Sequence, residues 1–319
     1  MGASQHLKLR NLPVFSSLEE LASLVHIDRD TLFNIVYYTY KFYRIIPIAK
    51  KNGGFRTIFI PNKTVKAIQS WILRMILDTV SPSSYATGFR KKYTIKNNVF
   101  PHRYNRYFLK VDIKDFFPSI SKGRVTLLFK QIGYDTPQAV LLAKICTCRS
   151  ILPQGGVTSP AISNLVVNML DRRISSLCSK KNIIYTRYAD DFTFSSNNRN
   201  ILNSIQPIII RIIENEGYTV NKTKIKFSGP KIHCRVTGLV KNSSEPSFGI
   251  GRKNVYKIRH IIFDAIINKQ FKDKKYSTIE SIKGVLAYYK FINKDTYSYL
   301  YRYILHLNPD NDIFCLKQE

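Results

Sequence analysis

The chain has 319 residues and 44% of them are hydrophobic, so it can bury a sizeable core in one multilobed unit or two domains. It carries 50 Lys and Arg against 21 Asp and Glu, a formal net charge of +29 that is spread along its length. Because such a charge repels itself in a compact protein, it favours a polyanionic partner, and nucleic acid is favoured over a membrane surface.

Two further compositional features narrow the class of protein. The N-terminus lacks an apolar signal segment and no apolar run is long enough to span a bilayer, so we expect no membrane association. The five cysteines form no CxxC pair, so we expect neither a disulfide framework nor a zinc site, and a reducing, cytoplasmic location.

Hydrophobic periodicity predicts an alternation of helices and strands. Apolar residues three and four apart predict helices, and short β-branched or aromatic runs between turn residues predict strands. Ser159 as N-cap and Pro160 at the first position begin one predicted helix, whose apolar stripe continues to Ile174. In chain order the predicted elements are helical spacing at 18–46, a turn and strand at 53–62, a helix at 65–80, a strand at 106–113, the helix from Ser159, two strands within 183–196, a helix at about 201–216, a strand at about 234–241 and basic helices from about 250.

Two adjacent aspartates interrupt the apolar run IIYTRYADDFTFSS at 183–196. The flanking residues predict two strands joined by a tight turn, with Asp190 and Asp191 at its tip. By themselves two carboxylates in a turn are more often solvated than functional. A site requires a third acid, and Asp112 at the end of the apolar strand YFLKVDI supplies one, whereas Asp115 fits a turn or helix cap better.

Three carboxylates at adjacent strand ends are suited to hard divalent cations. In a two-metal site the ions lie about 3.5 to 4 Å apart, and one activates an attacking hydroxyl while the other stabilises the leaving group. The pattern therefore predicts Mg²⁺-dependent nucleotidyl transfer.

Four sequence blocks together resemble a known family. GGFRTIFIPN, VDIKDFFPSI, LPQGGVTSPAISN and YADD occur in the order, and with roughly the spacing, seen in reverse transcriptases, over about residues 50 to 300. The chain looks most like the bacterial retron enzymes, because VTG follows the palm and NNVFPH stands in the place of the retron NAxxH element. Val99 departs from that element, which usually has alanine there.

The resemblance implies an α+β right-hand polymerase fold of fingers, palm and thumb, with an antiparallel palm sheet and a helical thumb. We expect N-terminal helices and fingers at 1–105, a palm at 106–242 with an interleaved finger segment at about 121–155, and a basic helical thumb at 243–319. The segment 252–290 holds ten Lys and Arg against three acidic residues, as expected of a thumb that straddles a duplex.

The resemblance also implies catalytic and metal-binding roles. Asp112, Asp190 and Asp191 would hold two Mg²⁺ ions, with the backbone carbonyl of Ile113 as a further ligand and Mn²⁺ as an alternative ion. Lys222 or Lys224 would protonate the leaving pyrophosphate, and the sequence leaves open which one does so.

Further residues match positions that contact the incoming dNTP in the family. Phe117 resembles the steric gate that excludes a 2′-OH, with a core aromatic as the alternative reading. Gln154 offers an amide to the nucleotide, and Gly155 would let the nucleotide approach closely. Arg56 resembles the finger residue that grips the triphosphate, and Lys50 and Lys51 could assist it.

The remaining positions are expected to recognise RNA. They match the retron-specific elements or lie on the basic thumb: Asn98, His102, Val236, Thr237, Gly238, Arg252, Lys253, Lys257 and Arg259.

What the resemblance implies about function is specific. A cognate structured non-coding RNA (msr-msd) would serve as primer, through the 2′-OH of an internal guanosine, and as template, giving the branched product msDNA. A separate effector protein and a role in anti-phage defence are expected. The alternatives are a group II intron-like or diversity-generating reverse transcriptase, a catalytically idle palm that binds RNA, and a sequence-blind basic binder such as a chaperone.

Overall fold

The computed structural model describes residues 3–50, 53–230, 234–242, 245–273 and 275–315. The chain divides into two compact units, each built from two separate stretches of sequence. Unit 1 comprises Met1–Thr94 and Phe108–Phe227, and unit 2 comprises Ile95–Tyr107 and Ser228–Glu319.

Helices and short strands alternate along the chain. The α-helices are α1 Ala3–Leu9, α2 Leu18–Val25, α3 Arg29–Tyr37, α4 Lys63–Met75, α5 Ile95–Val99, α6 Phe116–Ser119, α7 Lys122–Ile132, α8 Thr136–Cys146, α9 Ser159–Val166, α10 Asn168–Ser179, α11 Arg199–Asn215, α12 Arg252–Ile266, α13 Ile279–Ile292 and α14 Lys294–Leu307. The strands are β1 Tyr43–Ala49, β2 Phe55–Pro61, β3 Tyr107–Asp112, β4 Ile184–Tyr188, β5 Asp191–Ser196, β6 Lys226–Ser228, β7 Arg235–Val236, β8 Leu239–Lys241 and β9 Phe248–Gly249.

The first half of unit 1 is helical and ends in a hairpin. The side chains of Ser17 and Asp28 cap the N-termini of α2 and α3 by accepting backbone hydrogen bonds. The helical spacing predicted through residue 46 is wrong at its end, because β1 begins at Tyr43 and pairs antiparallel with β2, from Tyr43 opposite Pro61 to Ala49 opposite Phe55.

A four-stranded sheet forms the centre of unit 1, with the order β4-β5-β3-β6. Its strands carry fully buried aromatic side chains, Phe108 on β3 and Phe192 and Phe194 on β5. Helix α11 packs against β5, and α10 against β4. These helices cover β4 and β5, so the side chains of 185–187 and 192–196 are buried.

Two predicted elements are interrupted in the structure. The predicted helix from Ser159 breaks at Val167, whose ψ of 10° leaves the helical region, and the Asn168 carboxamide accepts a hydrogen bond from the Ser83 backbone at 2.8 Å. The strand predicted at about 234–241 is two strands, β7 and β8, joined at Thr237 and Gly238. In both places the backbone bends although the apolar pattern of the sequence continues without a break.

Unit 2 combines a three-stranded sheet, ordered β7-β8-β9, with α5 and three C-terminal helices. Helix α14 packs against α12 and α13, and the fully buried Leu300 and Ile304 belong to its apolar face. Across the described residues, no helix has the length and apolar character needed to cross a membrane.

A fully buried ion pair lies behind the hairpin β4–β5. The Arg187 guanidinium donates through Nε and Nη2 to the two carboxylate oxygens of Asp171 on α10, at 2.8 and 2.7 Å, and both side chains are 0% exposed. The Tyr185 hydroxyl donates to the same carboxylate at 2.7 Å. This bidentate arrangement provides the geometry and the additional hydrogen bonds that a buried pair requires.

The same guanidinium reaches the turn between the two strands. Its Nη1 donates to the Ala189 carbonyl at 3.2 Å and to the Asn164 side chain at 3.1 Å, and Asn164 in turn donates to the Gly88 carbonyl at 2.8 Å. Ala189 has a φ of +56°, a left-handed conformation that costs a non-glycine residue on the order of 1–2 kcal/mol. Arg187 therefore ties helices α9 and α10 to the one strained residue of the hairpin tip.

We expect Arg187→Met or Asp171→Asn to lower the free energy of unfolding by roughly 3–5 kcal/mol, because each change leaves a buried partner uncompensated. The double variant Arg187→Met/Asp171→Leu should lose less than either single change. Urea unfolding measures these differences. Arg29→Met is the matched control, since the Arg29–Glu19 pair is more than half exposed and its loss should change the stability far less than loss of the buried pair. Equal losses in the Arg29 and Arg187 variants would contradict the assigned role.

Candidate active site

The structure brings the three predicted carboxylates to neighbouring strand ends. Asp112 is the last residue of β3, and Asp191 is the first residue of β5, opposite Tyr188 in the hairpin register. Asp190 lies in the two-residue turn, and its carbonyl accepts a hydrogen bond from the Ile113 backbone at 3.1 Å. This bond joins the end of β3 to the hairpin tip, so Ile113 and Asp190, which are 77 residues apart in sequence (190 less 113), are direct neighbours.

The turn has the geometry of a tight hairpin. A positive φ at the first loop residue, Ala189, is the feature of a type II′ turn, which matches the twist of paired strands. Gly88 packs under it: a Cβ there would lie 3.1 Å from the Ala189 nitrogen. Gly88 thus contacts the buried side of the tip, while Asp190 is only half-buried.

The electrostatics of the tip disfavour three bare anions. Burial raises the pKa of Asp190, and the charge of Asp112 raises it further. Burial also raises the pKa of Asp191, against the opposing effect of the Lys110 ammonium. Since both shifts signal that the ionised forms are disfavoured, added positive charge would stabilise this group of carboxylates.

Two lysines supply positive charge in the structure. Lys110, two residues before Asp112 on β3, places Nζ 2.7 Å from the Asp191 carboxylate. Lys224 places Nζ 3.0 Å from Asp112. Of the two lysines predicted to act on pyrophosphate, Lys224 is therefore the one beside the carboxylates, while the Lys222 side chain is exposed and forms no ion pair with the described residues.

The carboxylate oxygens of the site are suitable ligands for a divalent ion. In the structure, however, two of the three carboxylates form ion pairs with lysines. Carboxylate oxygens are the preferred ligands of Mg²⁺ and Mn²⁺. Within the described ranges, however, no three His, Cys, Asp or Glu side chains form a ready-made metal-binding group. A metal would therefore compete with Lys110 and Lys224 for Asp191 and Asp112. The metal-ligand roles of these aspartates and of the Ile113 carbonyl stay predictions.

Phe117 follows the Asp112 strand and is less buried than a core residue. It is half-buried, whereas the adjacent Phe116 is 3% exposed and belongs to the core. The Phe117 ring lies 6.1 Å from that of Phe89, which is 46% exposed. This placement leaves part of the ring available to a ligand, as a gating residue requires.

The loop at 152–156 is tied to the hairpin β1–β2. The Gln154 carbonyl accepts a hydrogen bond from the Phe59 backbone at 2.8 Å. Gly155 has a φ of +120°, and a Cβ there would lie 2.5 Å from the Phe59 carbonyl oxygen. The sequence explained this glycine by close approach of a nucleotide, but the structure gives an internal reason, since β2 already occupies the space.

Arg56 lies on the same strand, three residues before Phe59. Its side chain is exposed, and none of the ion pairs among the described residues includes it. Lys50 precedes the hairpin loop and Lys51 lies outside the described residues. Contact of these cations with triphosphate stays a prediction.

Sequence reasoning missed the polar residues that hold these segments in place. Gln69 on α4 is fully buried, donates to the Tyr43 hydroxyl and the Ile145 carbonyl, and accepts from the Val157 backbone at 2.9 Å. Arg187 and Asp171 are the other principal omissions. A charged residue within the apolar strand IIYTRY was a usable signal, because arginine is rarely buried without a partner.

The retron-specific elements meet in unit 2 and are largely internal. Asn98, His102 and Val236 are at most 1% exposed, and burial lowers the pKa of His102 to about 3, which keeps it neutral. The Asn98 amide donates to the Thr237 hydroxyl at 3.2 Å. Direct RNA contact by these three buried side chains stays a prediction, and Asn98 supports the turn at 237–238 through Thr237.

That turn is conformationally demanding and open to solvent. Thr237 and Gly238 have φ values of +43° and +89°. Gly238 is exposed, and a Cβ there would meet no atom within 4 Å. The turn therefore presents bare backbone, held from inside by Asn98.

The predicted thumb cations differ in their availability. Arg252 and Lys253 are exposed at the start of α12. Lys257 pairs with Asp273 at 2.7 Å, and Arg259 donates to the Tyr299 hydroxyl at 2.7 Å while lying 4.3 Å from the Tyr303 ring. The first two are thus freer to meet phosphate than the last two.

Comparison with known proteins identifies the family of the chain. A family model described as "Reverse transcriptase (RNA-dependent DNA polymerase)" matches residues 48–245, more than half of the chain. The chain is 36% identical to the retron Ec86 reverse transcriptase of Escherichia coli, over 94% of this chain and 92% of that protein. It is 29% identical to the retron Mx65 reverse transcriptase of Myxococcus xanthus, over 89% and 70%.

A solved structure supports the fold alone. Telomerase from Candida albicans, solved with a fragment of telomeric RNA, superposes with a TM-score of 0.50 at 14% identity, over 85% of this chain and 61% of that one. The predicted α+β right-hand polymerase fold is confirmed. On the sequence matches, the chain belongs to the bacterial retron reverse transcriptases, a family of RNA-directed DNA polymerases.

Proposed function

We propose that this polymerase copies a cognate structured non-coding RNA (msr-msd) that is both primer and template, beginning from the 2′-OH of an internal guanosine. The product is then a branched RNA–DNA molecule, msDNA, made from dNTPs. The observation that carries the proposal is the meeting of Asp112, Asp190 and Asp191 at adjoining strand ends in a chain similar to retron reverse transcriptases. An RNA template is the partner common to that family.

A second part of the proposal concerns the biological setting. The names of the similar proteins place them in retrons, and we propose that this enzyme likewise acts with a separate effector protein in anti-phage defence. The alternatives of a group II intron-like or diversity-generating enzyme are less favoured, because the retron relatives cover nearly the whole chain.

Reverse transcriptases use divalent metal ions, and two Mg²⁺, or Mn²⁺ in their place, would be held by Asp112, Asp190, Asp191 and the Ile113 carbonyl. When bound, such ions supply charge that activates the primer hydroxyl and stabilises the leaving pyrophosphate. The protein's part is to fix the carboxylates. Arg187 and Gly88 hold the turn from below, and the bond from Ile113 to Asp190 sets the spacing to β3.

The residues proposed to bind the nucleotide include one on the hairpin β1–β2 and others in the loop at 152–156. Arg56 would bind the triphosphate, and Gln154 would contact the nucleotide from the loop that β2 anchors. Gly155 maintains that loop, and Phe117 would lie beneath the sugar. Lys224 adds positive charge beside Asp112.

We expect Asp190→Asn and Asp191→Asn each to reduce primer extension on an annealed RNA template by on the order of a thousandfold, since several kcal/mol of charge stabilisation are removed. Asp115→Asn is the matched control, because this nearby aspartate is exposed and its side chain caps no backbone group. DNA synthesis at the unaltered rate in both site variants would refute the catalytic assignment.

We expect Phe117→Ala to raise incorporation of ribonucleotides relative to deoxyribonucleotides by roughly 10- to 100-fold, because a 2′-OH would no longer meet the ring. Single-nucleotide extension with matched rNTP and dNTP measures the ratio. Phe117→Tyr keeps the bulk and should keep the selectivity. An unchanged ratio in Phe117→Ala would remove the gate role.

Sequencing of the nucleic acid that co-purifies with the protein tests the priming mechanism. We expect a DNA strand joined 2′,5′ to one structured RNA. The Asp190→Asn variant should retain the RNA and lack the DNA. Linear complementary DNA without a branch would rule out retron priming while leaving polymerase activity intact.

A further inference from the structure

Three side chains of unit 2 form an exposed group that the polymerase site does not use. Phe100, Arg103 and Tyr104 lie on the 3₁₀ helix Phe100–His102 and the turn after it. The Arg103 guanidinium carbon is 3.8 Å from the centroid of the Phe100 ring and 4.3 Å from that of Tyr104. One guanidinium thus contacts two aromatic rings, and we call this group the Phe100–Arg103–Tyr104 stack.

The stack is displayed on a rigid base. Phe100 is 58% exposed and Tyr104 is 64% exposed, whereas Asn98 and His102 of the same short segment are at most 1% exposed. Arg103 also donates to the Phe100 carbonyl at 2.9 Å, which fixes its guanidinium against the backbone. Because the segment is anchored from inside, binding a ligand would require little ordering of the rings.

Both rings of the stack are more than half exposed and lie beside a cation. A half-exposed phenylalanine keeps apolar surface in water, and aromatic side chains shown beside cations are typical of sites that stack unpaired bases. Arginine planes serve the same purpose. The segment Ile95–Tyr107 carries three Lys and Arg, at positions 96, 103 and 106, and no Asp or Glu, so its charge suits a phosphate backbone.

We propose that the Phe100–Arg103–Tyr104 stack binds an unpaired nucleotide of the RNA partner, with the base on an exposed aromatic face and the phosphate near Arg103. The inference rests on the RNA substrate of the proposed function and adds a binding site to it. A duplex is a poorer ligand, because its bases are already stacked and offer no open face to the rings.

Binding of a 2-aminopurine-labelled RNA hairpin with a single-stranded tail of about ten nucleotides tests the proposal, with a blunt hairpin of the same stem for comparison. The full-length protein is used without dNTPs. Phe100→Ala and Tyr104→Ala should each weaken binding of the tailed RNA by roughly 5- to 30-fold and leave the blunt hairpin within about twofold. Stacking should quench the 2-aminopurine in the unaltered protein and less so in the variants.

The salt dependence separates stacking from charge. Phe100→Ala should shift the dissociation constant at every salt concentration without changing the slope of log Kd against log salt, because no phosphate contact is removed. Phe100→Tyr should restore binding. Circular dichroism melting confirms that these surface variants remain folded.

Tyr38→Ala is the matched control, since Tyr38 is another exposed tyrosine with a cation, Lys41, 4.7 Å from its ring. Equal loss in Tyr38→Ala, or equal loss for tailed and blunt RNA, would overturn the proposal. Because binding is measured without nucleotide addition, failure of DNA synthesis in the unaltered protein would count against the proposed function and not against the stack.

Discussion

The buried pair of Arg187 and Asp171 is the interaction on which the candidate active site depends. Its guanidinium satisfies a carboxylate on α10, the Asn164 side chain on α9 and the carbonyl of the strained Ala189, so three segments meet at one group. A buried pair of charges contributes little net stability by itself, but the loss of one partner is costly. These contacts therefore fix the conformation of the hairpin tip, and with it the positions of Asp190 and Asp191.

The charge distribution of the molecule places a small acidic site within a basic surface. Asp190 and Asp191 both have raised pKa values because burial disfavours their ionised forms, and Lys110 and Lys224 lie against the carboxylates at 2.7 and 3.0 Å. Exchange of such lysines for divalent ions would keep the local charge balanced. In unit 2, Asn98 and His102 are buried and the Asn98 amide donates to the Thr237 hydroxyl, while the nearby Phe100 and Tyr104 are exposed.

Several features were predictable from the sequence because they violate an apolar pattern. Aspartates inside strand-like runs and four ordered motifs led to the polymerase fold and the retron family, both of which the comparisons confirm. One wrong prediction is the helical spacing through residue 46, because strand β1 begins at Tyr43. Two others concern bends within apolar patterns. The helix from Ser159 breaks at Val167, next to Asn168, whose side chain accepts a hydrogen bond from the Ser83 backbone. The strand at about 234–241 turns at Thr237, whose hydroxyl accepts a hydrogen bond from the Asn98 amide. Because both contacts come from segments distant in sequence, local propensity does not predict them.

The sequence by itself determined which carboxylates are available, that a polyanion is the favoured partner, and which family the chain belongs to, because residue types and their order carry that information. Only the tertiary structure showed which residues contact one another. In the sequence Arg187 is one basic residue among fifty, and only packing shows that it binds Asp171. For Gly155 the structure adds an internal reason for glycine, because β2 leaves no room for a Cβ, while its contact with a nucleotide stays a prediction. Such roles depend on which surfaces meet, and contacts between residues distant in sequence exist only once the core has formed.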